Sequence, residues 1–129
     1  MNIEIPVAPG ELIDKITILA IKRARIADTQ KLVHVEHEYQ QLMQVFESSI
    51  KPDERLLHLQ EELRMVNDDI WQVEDDIRDC ERRKYFGSSF VELARQVYIK
   101  NDRRAALKRE INIHLESTII EEKSYSPYV

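Results

Sequence analysis

The chain holds one cysteine, two glycines and four prolines in 129 residues, and each scarcity closes off a class of protein. With Cys80 alone, no internal disulfide and no cysteine-built zinc cage can form. Its place on the apolar side of a predicted helix reads as a buried, inert thiol. Two glycines are too few for a phosphate-cradling loop, and no G-x-S-x-G nucleophile motif occurs. No run of about 18 apolar residues is present to span a membrane. The opening "MNIEIPVAPGE" lacks the basic region and apolar stretch of a secretory signal. A surplus of positive charge is also missing: the net charge is −5 and the pI about 5.4, a balance that repels phosphate backbones. The expectation is a cytoplasmic protein that binds neither nucleic acid nor membrane and carries no cofactor.

What is present is 43% apolar and 33% charged residues with few aromatics, the composition of long solvated helices around one core. The predicted architecture is all-α, a helical bundle formed by one domain over residues 1–129, with 117–129 an extended tail. A first helix runs from Glu11 to Ile26 and a second from the Asp28-Thr29 cap to Ser48-Ser49. A long antiparallel hairpin follows, about 52–86 and 89–116. Its first arm carries the longest seam of the chain: Leu59, Leu63, Val66, Ile70, Val73, Ile77 and Cys80 repeat as in a coiled coil. Gly87 is expected to end that arm, and "SFVE" at 89–92 has the spacing of a capping box for the next. The alternation of Ile3, Ile5 and Val7 suggests a short edge strand that pairs with Thr118–Ile120. Because the first arm outruns its cover, a homodimer is expected.

The second arm raises the functional question. Its seam runs Phe90, Ala94, Val97, then Asn101, Arg104 and Lys108, then Ile111 and Leu115, so an amide and two cations face the partner helix. Pivoted at Gly87, the hairpin sets Asn101 near Val73 and Arg104 near Ile70, among Asp68, Asp69, Glu74 and Asp75. Three arrangements satisfy this pattern. Glu74 or Asp69 clamps Arg104 while Asn101 fixes register; the helix rotates to put Ala105 in the seam; or Arg104 and Lys108 line a polar cleft for an anionic or sugar-like ligand, with Glu74 or Asp14 as carboxylate partner. Glu11 and Asp14 have the three-residue spacing of paired Mg²⁺ ligands in all-helical nucleotide pyrophosphatases, yet acidic residues in a first turn also complement the helix dipole. His34 and His37 share a face without a third ligand. No metal site is assigned.

Five blocks, "PGELIDKITIL", "VEDDIRDCE", "FVELARQVY", "NDRRAALKREI" and "EEKSY", together resemble a family of small bacterial all-helical proteins and domains with no assigned function. The resemblance spans nearly the whole chain apart from about 28–55. It implies an association with sugar transferases and surface-polysaccharide assembly, and supplies no catalytic residue. It draws attention to Glu11, Asp14 and Lys15; to Glu74, Asp75 and Arg78; to Asn101, Asp102, Arg103 and Arg104; and to Glu122, Lys123 and Tyr125. A fainter likeness, through "LIDKITILAIKR", is to the all-helical chorismate mutases, from which the chain departs by lacking an arginine ahead of the Ile13-Asp14 pair. The reading favoured is a non-catalytic accessory module with a protein partner. The alternative is a small enzyme or ligand binder built on Glu74, Asp75, Arg78, Asn101, Arg104, Lys108, Glu11 and Asp14.

Overall fold

Four helices make up the regular structure of the computed structural model, which describes residues 1–129: α1 Pro9–Arg25, α2 Thr29–Ser49, α3 Glu54–Arg82 and α4 Ser88–His114. Pro9 opens α1, where a missing N–H has no partner to lose. Asp28 caps α2 by accepting from the backbone N–H groups of Gln30 and Lys31. Asp53, the residue after Pro52, caps α3 through Leu56 N at 2.8 Å, and its carboxylate also meets His114 Nε2 at the far end of α4. That contact ties the base of the hairpin together. No helix is long and apolar enough to cross a membrane.

The core lies where α1 crosses the hairpin. Ile13 from α1, Leu56, Leu59 and Leu63 from α3, and Leu107 and Ile111 from α4 are completely buried. Each contributes on the order of 1.5–3 kcal/mol of apolar burial. Phe46 and, partly, Leu42 and Met43 bring α2 onto this cluster. Leu107 stands one residue off the expected seam, and its full burial turns α4 so that Lys108 moves to the edge of the interface.

The hairpin register differs from a pivot at Gly87. Arg103 meets Glu62, Lys100 meets Asp69, and Glu110 meets Arg55, all nearer the base of α3 than that pivot allows. The reason is the turn: α3 stops at Arg82, and Lys84, not Gly87, adopts the left-handed conformation with φ 56°. Tyr85 N then donates to Cys80 O and Lys84 N to Glu81 O, the paired bonds of a Schellman ending. The same motif closes α4, with Glu116 at φ 55° and Ser117 N donating to Asn112 O. Gly87 instead precedes α4 as its N-cap without a side-chain bond, so the "SFVE" capping box does not form.

The terminal strand pair is also absent. Ile3 and Ile5 remain exposed, and neither 1–8 nor 117–129 holds regular structure. Two short segments, one interrupted by Pro6, have no third strand or packed face to support them. They still approach each other, since Pro6, Val7, Ile119 and Glu121 border one small cleft. The tail runs back along α4: Glu121 pairs with Lys108, Glu122 with Arg109, and the Tyr128 ring packs edge-on against Tyr98.

Candidate functional site

A row of small and polar residues on α1, Gly10, Asp14 and Thr17, faces the hairpin and is buried. Gly10 makes the approach possible: a Cβ there would lie 2.5 Å from the carbonyl oxygen of Lys108 and 2.8 Å from Asn112 Oδ1. With no side chain in the way, Gly10 N donates to Asn112 Oδ1 at 2.7 Å. One turn further on, the Asp14 side chain arrives between α3 and α4 with only 1% exposure.

A carboxylate so enclosed is untenable without compensation. Arg104 supplies it bidentately, Nε donating to Oδ1 at 2.9 Å and Nη2 to Oδ2 at 2.5 Å. Asn67 Nδ2 adds a third bond to Oδ1 at 2.9 Å and a fourth, to Thr17 Oγ1, at 2.8 Å. One turn along α4, Lys108 Nζ donates to Glu11 at 2.7 Å and to Glu121 at 3.3 Å. The bonds to Asp14 raise the pKa of Arg104 above the ordinary arginine value, against the opposing effect of burial. For Lys108, burial opposes the charged form most, but Glu11, helped by Asp14 and Glu121, outweighs it and the ammonium titrates above its usual range.

Arg104 is therefore clamped, and the clamp is Asp14 on α1 in place of Glu74 or Asp69 on α3. Ala105 does not displace it from the interface. Glu74 pairs with Arg78 one turn along its own helix, and Asp69 with Lys100. Asn101 donates to Val97 O within α4, so it does not set the hairpin register. Glu11 and Asp14, spaced like metal ligands, are each held by a cation. Four residues that complete the network, Gly10, Thr17, Asn67 and Asn112, went unmarked in the sequence. The Gly10-Asp14-Thr17 spacing of four and three, beside the apolar stripe of α1, was the available sign.

Two clefts open on either side of Arg104. One, of about 310 Å³, lies where α1 leaves the hairpin; Ile18, Ile70 and Trp71 give it apolar walls and Glu74, Asp75 and Arg78 its rim. The other, of about 240 Å³, holds Asn101 and Lys108 and is bounded by Glu121 and Lys123 of the tail. Of the candidate residues, Glu74, Asp75 and Arg78 border the first cleft and Asn101 and Lys108 the second, with Arg104 common to both; Glu11 and Asp14 line neither.

These features define a four-helix protein organised about one buried carboxylate–guanidinium pair. The chain belongs to a family of unknown function, DUF6165, whose family model matches residues 1–129. Comparison with curated proteins gave no match, and comparison with solved structures gave none.

Proposed function

We propose that the protein is a non-catalytic cytoplasmic interaction module whose partner is another protein. The observation that supports it is the uncovered half of the hairpin. Beyond the crossing of α1 the seam continues through Ile70, Val73 and Ile77, yet these are only half-buried. Phe86 and Val91 stand on the same half with 51 and 52% exposure. Apolar surface grouped on one half of a helix pair is what a partner helix covers. Glycan-building enzymes are the partner class to try first, because the sequence blocks resemble a family associated with them.

A photoreactive amino acid placed at Val91, compared with one at the exposed Glu38 of α2, tests this in cells. One dominant cross-linked protein at 91, lost on Phe86→Ser, is the expected result. Equal cross-linking at both positions would reject the reading. Light scattering at micromolar concentration separates a second copy of the chain from a different partner, since a monomer mass excludes homodimerisation.

A further inference from the structure

The second cleft beside Arg104 is walled by cations. Arg104, Lys108 and Lys123 border its volume of about 240 Å³ together with Asn101, Ala105 and a single carboxylate, Glu121. Asp14 and Glu11 hold Arg104 and Lys108 from the side of α1 and do not line it. Lys123 pairs with no carboxylate; its ammonium lies over the Tyr125 ring, 5.8 Å from the centroid. The two partners of Lys108 are unequal. Glu11 accepts at 2.7 Å from within a helix, whereas Glu121 accepts at 3.3 Å, keeps 61% exposure and belongs to a tail without regular structure. An exposed pair of that kind contributes little, so Glu121 is the exchangeable partner. With Glu121 in place, the cations of the cleft and the carboxylates that meet them cancel; with it displaced, one positive charge is left over.

The geometry points to a binding site for a small phosphate monoester, which takes the place of the Glu121 carboxylate among Arg104, Lys108 and Lys123. Glu121 is then an intramolecular plug. Charge decides between competing anions. A tethered carboxylate acts at an effective concentration in the millimolar range, so a free monocarboxylate, with the same charge and the same two oxygens, does not displace it below that range. A phosphate monoester above its second pKa carries two charges and three acceptor oxygens. The same excess positive charge attracts it about twice as strongly as a monoanion, and a cleft walled by one sign of charge concentrates that field. The walls select the carrier as well. Ala105 is the one apolar residue of the lining, so a hydroxylated carrier keeps its hydrogen bonds there and an aromatic one finds no apolar surface to bury. This inference is independent of the uncovered hairpin half.

Backbone amide signals of the full-length protein, followed by nuclear magnetic resonance, report occupancy residue by residue. Glycerol 3-phosphate, phenyl phosphate, acetate and malonate are each added at constant ionic strength, at a pH well above the second phosphate pKa of about 6. Saturable shifts at Ala105, Lys108, Glu121 and Lys123 are expected with glycerol 3-phosphate, with a dissociation constant on the order of 1–10 mM. Glu121→Gln removes the plug and should tighten binding about three- to tenfold. Lys123→Ala breaks no ion pair of the fold and should weaken binding about fivefold with the helical circular dichroism kept. Glu92→Gln removes an equal charge near the start of α4, beyond the reach of screened charges, and should leave binding unchanged. Shifts that never saturate, binding to Glu121→Gln no tighter than to wild type, or equal tightening by Glu92→Gln would overturn the proposal. Acetate or malonate binding as tightly as glycerol 3-phosphate would overturn the phosphate assignment, and tighter binding of phenyl phosphate would overturn the polar carrier.

Discussion

The two halves of the α3–α4 hairpin are written in similar sequence and end up in different environments. Near the base, Leu56, Leu59 and Leu63 face Leu107 and Ile111, and α1 seals them from solvent. Towards the tip, Ile70, Val73 and Ile77 repeat the same spacing but remain half-buried, and Phe86 and Phe90 cover each other edge-to-face. Of the tip half of the seam only the small Cys80 side chain is buried; its larger apolar residues stay half-exposed where no third element lies across them. What sends α1 across the base is a polar device, Gly10 and Asp14, and the comparison can be broken there.

The largest effect is expected from Arg104→Met. It strands the Asp14 carboxylate, 1% exposed, without its counter-charge. A loss of about 3 kcal/mol in urea unfolding is expected, the lower end for a broken buried pair because the guanidinium keeps 30% exposure. Combining it with Asp14→Leu should recover most of that loss, since apolar replacement of a whole buried pair is often neutral. Arg78→Ala, which breaks an exposed pair towards the tip, should change stability by less than about 0.5 kcal/mol. An Arg104→Met loss no larger than that of Arg78→Ala would mean the two halves are held alike.

Gly10→Ala attacks the same crossing without touching a charge. The added Cβ meets Lys108 backbone, which cannot rotate away, so α1 must move outward. A loss of about 1–3 kcal/mol is expected. Amides of α1 should then exchange faster with solvent while those at the hairpin tip keep their wild-type rates. A uniform increase across all four helices would show that α1 and the tip open together.

How much of this the sequence disclosed follows from the range of the forces involved. The all-helical class and the four helices were legible because spacing and the Asp28 cap act within a turn or two. Buried Leu59 and Leu63 were legible for the same reason. The partner of Arg104 was not, because many carboxylates stand on α3 and sequence pattern cannot show that α1 passes closer. The register failed through one residue: Gly87 is the natural left-handed candidate, and Lys84 takes the role. The Ile3-Ile5-Val7 alternation was real but had nothing to pair against.

The two left-handed residues give a smaller and sharper comparison, one at each end of the hairpin. Lys84 closes α3 at the tip and Glu116 closes α4 at the base, each in a conformation that costs an L-residue about 1 kcal/mol. Glycine at either position should relieve that cost. If the hairpin unfolds as one unit, Lys84→Gly and Glu116→Gly raise the melting temperature equally. If the tip opens before the base, Glu116→Gly alone raises it, and Lys84→Gly only slows amide exchange around Asp79–Phe86.

The smallest expected effect is a pH dependence confined to the base. Lys108 titrates above its ordinary value of 10.5 in the folded state, held charged by Glu11, Asp14 and Glu121. A group whose folded pKa is raised contributes stability in full below the unfolded value and loses it as pH climbs through the folded one. The contribution should therefore be constant up to about pH 10.5 and decline above it. Lys108→Arg keeps a cation opposite Glu11 that does not titrate in this range. Melting temperatures of the two proteins should run parallel below about pH 10 and then separate, the wild type falling faster. Every other residue is common to both proteins, so the separation isolates Lys108, and its absence would mean that water, not Glu11, balances this charge.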